Sequence, residues 1–342
     1  LTKENAVDTH VEQLEISEAA PMSGQVWKFL ALAFGLSWVG WIAAATLHAR
    51  EEFLNIGTAG PAVAAMILSR RREAALLYRP QRRAALFVVV MLGSWIVLCL
   101  HFAWSSRSDV TLHLNPWFLV VAAVPAWVIS GVLSKDTGVR DLLKRLVHPP
   151  NRWALIGFLL LPAILIVPAG IAHLFHLPLV VPHRQGTAAF AIAVGSVSLL
   201  YNVLFVAVLE EPGWRGFLLD RLQRRLSPLL ASVMVWLPWA LWHAPLDYFR
   251  PGRFSLAAYL QLRVVFLIPI AIILTWLYNR SGRSILATVM FHASMNVAPF
   301  VLPYYPPALG LVFVFAAYAI IADRMWRRPH VSVGSVRFRV SL

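Results

Sequence analysis

Ten apolar runs, most of them close to the length needed to cross a bilayer, limit what this chain can become more than any other feature. Hydrocarbon offers no partner to backbone N–H and C=O groups, so a run of roughly 20 apolar residues crosses it only as a helix. The runs lie at 27–48, 53–69, 84–104, 116–133, 153–173, 187–209, 229–244, 256–278, 284–303 and 307–323. No block between them is large enough to fold as a soluble domain. Of the 342 residues, 59% are hydrophobic and 13% charged, against roughly 25% charged in soluble domains. The expectation is an all-α polytopic transmembrane helix bundle of about 8–10 spans. Residues 1–25, with five acids and one base, read as a polar mobile tail, 26–323 as the transmembrane domain, and 324–342 as a basic tail lying against anionic headgroups.

The formal charge of +14 does not point to nucleic acid, because the Lys and Arg residues sit in short loops between apolar runs with no binding motif around them. They read instead as orientation signals. Placing both termini on one side gathers 24 of the 30 bases there and leaves five opposite, which assigns the richer side to the cytoplasm and the chain to the plasma membrane. Arg263 falls inside a span. It is either a counter-ion for a transported solute or, in the preferred reading, the partner of an acid in the core. The single cysteine, Cys99, excludes a disulfide framework and a cysteine-based metal site.

Glu210 and Glu211 directly follow an uncharged run of 23 residues, 187–209. Carboxylates at that depth are costly and usually face a functional cavity; the plainer alternative is that the run ends there and both acids meet water. Adjacent helical residues point about 100° apart, so the two acids cannot serve one site equally. Glu211 and Arg215 are four apart and can pair, which leaves Glu210 as the candidate general base. Pro212 and Gly213 loosen the backbone beside them. Further on, Trp239 and His243 share a helix face, as do His292 and Asn296. Each pair alone has an ordinary reading, as interfacial aromatics and interhelical glue.

Together, a carboxylate, two imidazoles and a carboxamide form a complete set for activating water against an amide. Glu210 takes the water proton, His243 positions and polarises the water, and His292 with Asn296 donates to the oxyanion.

The ordered set Glu-Glu-x-x-x-Arg (Glu210, Glu211, Arg215), aromatic-x-x-x-His (Trp239, His243) and His-x-x-x-Asn (His292, Asn296) resembles the CPBP family of intramembrane endopeptidases. This is the CAAX-protease and bacteriocin-processing group, also called Rce1-like or type II CAAX prenyl endopeptidases. The likeness covers about 187–303. It implies a helical membrane fold with a polar intramembrane cavity, catalytic Glu210, His243, His292 and Asn296, supporting Glu211, Arg215 and Trp239, and a membrane-associated or lipid-anchored protein or peptide as substrate. Trp239 stands where the family most often has Phe.

Three questions stay open at this level. The run boundaries put Glu210 and His243 roughly 20 Å apart along the membrane normal. The motifs therefore require the sixth helix to continue past Arg215 and suggest that the seventh begins after 229, with 216–226 as a helix end or an amphipathic surface helix. Glu210, His243 and His292 would make a zinc site with water as fourth ligand. The absence of His-Glu-x-x-His and the origin of the ligands on three helices favour a reaction without a cofactor, with zinc as the alternative. Finally, the same residues fit a catalytically silent scaffold or immunity-type binding protein, or less well a transporter. Oligomeric state is not legible.

Overall fold

The computed structural model describes residues 22–46, 54–71, 78–105, 114–147, 152–182, 187–249 and 255–328. Most of the two expected tails lies outside these residues. Among the described residues, six helices are long and apolar enough to cross a bilayer: α1 (Gly24–Thr46), α3 (Pro80–Trp104), α6 (Arg152–Leu174), α7 (Ala189–Leu222), α8 (Pro228–Tyr248) and α9 (Leu256–Arg280). Four shorter apolar helices accompany them, α2 (Asn55–Ser69), α4 (Phe118–Leu133), α10 (Ile285–Val301) and α11 (Pro306–Ala322). A short amphipathic helix, α5 (Thr137–Lys144), buries Val139, Leu142 and Leu143 beside the bundle, and Asp136 caps it by accepting from Val139 N at 3.0 Å. Each apolar run of the sequence has become one helix. The protein is an integral membrane helix bundle.

Apolar side chains point both ways, as a lipid-bathed bundle requires. Val39, Val89, Val167 and Val314 are exposed on the outside, while Phe29, Leu165, Ile273 and Phe291 are fully buried. Lipid tails are as apolar as leucine, so helix association rests on close packing and on polar contacts between helices. Gly157 supplies the first, since a Cβ there would sit 2.5 Å from the carbonyl oxygen of Ala287, and α6 meets α10 backbone to backbone. Ser294 supplies the second at the same seam, donating from Oγ to Phe158 O at 2.8 Å. Indole N–H groups tie other pairs: Trp38 to Trp242 O at 3.1 Å joins α1 to α8, and Trp236 to Val264 O at 3.0 Å joins α8 to α9.

Helix α7 is where the structure departs from hydropathy. It does not stop at 209 but runs for 34 residues to Leu222. Two π-helical stretches, Val203–Ala207 and Trp214–Leu219, bracket the α-helical Val208–Gly213. Pro212 removes one backbone donor, and wider turns accommodate such a loss. Gly213 is required for packing, because a Cβ on it would lie 2.5 Å from both Cβ and the carbonyl oxygen of Pro61 in α2. The stretch from Gly216 to Leu219 is accordingly buried helix, not a surface helix.

The next helix begins at Pro228, capped by Ser227 Oγ, so the later start expected for it is incorrect. Extension of α7 alone removes the 20 Å mismatch. At 1.5 Å per residue, Glu210 lies about 18 Å and His243 about 22 Å from the turn joining α7 to α8. The hairpin therefore brings them level.

Candidate active site

Three helices supply the site. Glu210, Glu211 and Arg215 come from α7, Trp239 and His243 from α8, and His292 and Asn296 from α10. Glu210, Glu211, Arg215, Trp239, His243 and His292 are all buried, so each charge must be met by protein groups.

The two adjacent carboxylates are held differently. Glu211 Oε1 accepts from Arg215 Nη1 at 2.9 Å and lies 2.8 Å from His292 Nδ1. Glu210 Oε2 accepts instead from the indole Nε1 of Trp239 at 2.9 Å. Arg215 makes one strong contact through Nη1, while Nε and Nη2 bond to no described acceptor. Its guanidinium is stacked 4.2 Å from the Trp239 ring centroid, a cation–π contact of the kind favoured where water is excluded.

Trp239 is thus the centre of the site. Besides Glu210 and Arg215, its ring meets His292 edge-on at 5.6 Å and His243 at 5.9 Å between centroids. Its carbonyl oxygen lies 2.7 Å from Nδ1 of His243. Because that oxygen can only accept, Nδ1 of His243 is the donor in this contact. Trp242 packs edge-on against the same imidazole at 4.9 Å and continues through Trp41 and Trp214 into a buried aromatic wall.

Asn296 belongs to a second layer that the sequence did not disclose. Its Nδ2 donates to Asn202 Oδ1 at 3.1 Å, and Asn202 Nδ2 donates to Ser198 O at 2.9 Å. The backbone carbonyl fixes which way the Asn202 amide faces, and this in turn presents an acceptor to Asn296. Asn202 had one visible signal, its carboxamide in an uncharged run two helical turns before Glu210. A second overlooked residue is Asp247, buried on α8 one turn beyond His243. It receives Arg263 bidentately, Nε to Oδ2 at 2.7 Å and Nη2 to Oδ1 at 2.9 Å. Arg263 is therefore the partner of a core acid, as preferred from the sequence, which removes the residue on which a transporter reading turned.

The zinc alternative names Glu210, His243 and His292 as ligands. Among the described residues no three His, Cys, Asp or Glu side chains converge closely enough to hold a metal ion. His292 turns Nδ1 to Glu211 rather than to a shared centre with Glu210, and Glu210 turns an oxygen to an indole.

Fold and site define a polytopic helical membrane protein with a buried carboxylate–imidazole–carboxamide centre. Residues 192–298 match the family model for type II CAAX prenyl endopeptidases, Rce1-like. CAAX prenyl protease 2 of Methanococcus maripaludis is 29% identical over 214 residues, covering 58% of this chain and 78% of the relative. Residues 192–298 thus form an Rce1-like domain, and the similarity supports a protease set within the membrane bundle.

Proposed function

We propose that the protein is an intramembrane endopeptidase acting on membrane-associated or lipid-anchored chains, with Glu210 as general base and no metal. The observation that carries the assignment is the division of the carboxylates: Glu211 is engaged by Arg215 and His292, whereas Glu210 keeps Oε1 for a water while Trp239 holds Oε2. Glu210 takes a proton as the water oxygen bonds to the scissile carbonyl carbon, and His243 accepts the second water hydrogen at Nε2 to orient the attack. Charge then develops on the carbonyl oxygen. Asn296 donates one Nδ2 hydrogen to Asn202 and has a second for that oxyanion. His292, oriented by Glu211 at Nδ1, offers a second contact to that oxygen through Nε2. As the C–N bond breaks, the proton held by Glu210 passes to the leaving amine.

A lipid anchor on the substrate is supported by a neighbouring apolar cavity of about 340 Å³ between α6, α7 and α10, lined by Phe158, Leu159, Gly195, Leu199, Ser294 and Val297. Ile166 and Ile192 at its rim are exposed, so a chain can enter sideways from the bilayer. The distribution of Lys and Arg supports cytoplasmic termini, and a plasma-membrane location is part of the same proposal. In proteoliposomes, a peptide carrying an isoprenyl thioether near its C-terminus should be cut by the wild type and not by Glu210→Gln, with the rate unchanged by a chelator. Equal cleavage by both proteins would end the proposal. Preference for the same peptide without its anchor would end the lipid part of it.

A further inference from the structure

A second, strongly basic cavity of about 540 Å³ opens at the other level of the bundle, where the ends of α1 and α2 meet α5, the α7–α8 turn and the turn after α9. Six guanidinium groups line it, those of Arg70, Arg71, Arg145, Arg221, Arg224 and Arg283. They face three carboxylates: Asp141 and Asp220 in the lining, and Asp136 beside it, 3.8 Å from Arg70. Asp220 is shared three ways, with Arg283 at 3.0 Å, Arg145 at 3.7 Å and Arg224 at 4.0 Å, and Arg71 reaches Asp141 at 3.3 Å. Positive charge is left over. Arg221 lies within the repulsive field of both Arg145 and Arg224, and such crowding is relieved by a bound anion.

The cavity is prearranged for one. Arg145 is fixed from behind, donating to Tyr278 Oη at 2.6 Å and Gly216 O at 2.9 Å. Arg70, Arg71, Arg224 and Arg283 keep 60–72% of their side chains exposed around the mouth. A phosphodiester matches several guanidinium forks at once. Leu68 lines the cavity and Ile67 beside it is exposed, giving an acyl chain an apolar path away from the charged end. Free phosphate would make no use of that path.

We infer that this cavity is a binding site for the headgroup of an anionic phospholipid. The site is independent of the proteolytic chemistry and rests on the membrane fold alone. The test uses the full-length protein in detergent and in nanodiscs of phosphatidylcholine, with phosphatidylglycerol titrated in and retained lipid counted by native mass spectrometry. The triple variant Arg70→Gln, Arg71→Gln, Arg224→Gln changes only exposed side chains. The reference variant Arg79→Gln, Arg82→Gln, Arg328→Gln removes the same charge from exposed positions outside the cavity. With each arginine near the headgroups contributing about a factor of five, the cavity variant should lose about a hundredfold in phosphatidylglycerol affinity while the reference variant changes little. Unchanged melting temperatures in phosphatidylcholine would show that both variants fold. Equal losses in the two variants, or none in the cavity variant, would overturn the site. Inorganic phosphate displacing phosphatidylglycerol completely at equal concentration would overturn the lipid assignment.

Discussion

Removing Arg215 should expose how the protein keeps two adjacent carboxylates inside a membrane. Its side chain is 1% exposed and that of Glu211 is not exposed at all, with 2.9 Å between Nη1 and Oε1. In Arg215→Leu, Glu211 stays buried without its cation. Breaking a pair of this kind costs about 3–5 kcal/mol. The lost stacking on Trp239 adds about 1–2 kcal/mol, partly offset by the apolar replacement. The retained contact from His292 should keep the total near the lower end, about 4 kcal/mol. Glu211→Gln retains an acceptor for Arg215 and His292, and the double variant leaves no unpaired charge. The cycle should therefore show a coupling of about 2–3 kcal/mol. The assay is reversible unfolding in mixed micelles with increasing SDS, followed by tryptophan fluorescence. A loss below about 1 kcal/mol for Arg215→Leu, or additivity within about 0.5 kcal/mol across the cycle, would refute the reasoning.

Three further outcomes follow from the same contacts. Asn202→Ala should lower kcat about tenfold with KM unchanged, because Asn296 loses the acceptor that orients it; Asn296→Ala, which removes the oxyanion donor itself, should cost about a hundredfold or more. Trp239→Phe keeps a ring against Arg215 and both imidazoles but loses the indole N–H. Its kcat should fall about tenfold, with a stability loss of about 1–3 kcal/mol from the buried acceptor left without its donor, and an unaltered kcat would show that the bond to Glu210 does not matter in turnover. Gly213→Ala places a methyl against the Pro61 backbone and should destabilise the protein by about 1–3 kcal/mol in the same SDS titration.

Hydropathy located the apolar helices of the described residues, and all but one of their ends to within a few residues, because the cost of burying unpaired backbone leaves helices as the only option and makes composition decisive. It failed at the C-terminal end of α7 for a related reason. A hydropathy window counts Glu210, Glu211 and Arg215 as a polar boundary, while in three dimensions Arg215 and His292 engage Glu211 and Trp239 donates to Glu210. Motif spacing gave the pairings within one helix, such as Glu211 with Arg215. Pairings across helices were out of its reach. Trp239 looked like a supporting aromatic and is the donor to Glu210. Asn202 and Asp247 carry no motif, and their roles arise from contacts with residues 94 and 16 positions away. The arginines of the basic cavity were legible as an orientation signal, but only the fold places six of them around one space.

The central claim is that Glu210 activates water for peptide hydrolysis. The most direct test compares the membrane proteomes of cells expressing the wild type and Glu210→Ala at matched abundance, scoring new protein termini by mass spectrometry. The account predicts a set of termini present with the wild type and absent with the variant, clustered in membrane-associated or lipid-anchored proteins. Identical termini in the two samples, with both proteins folded and inserted, would contradict it.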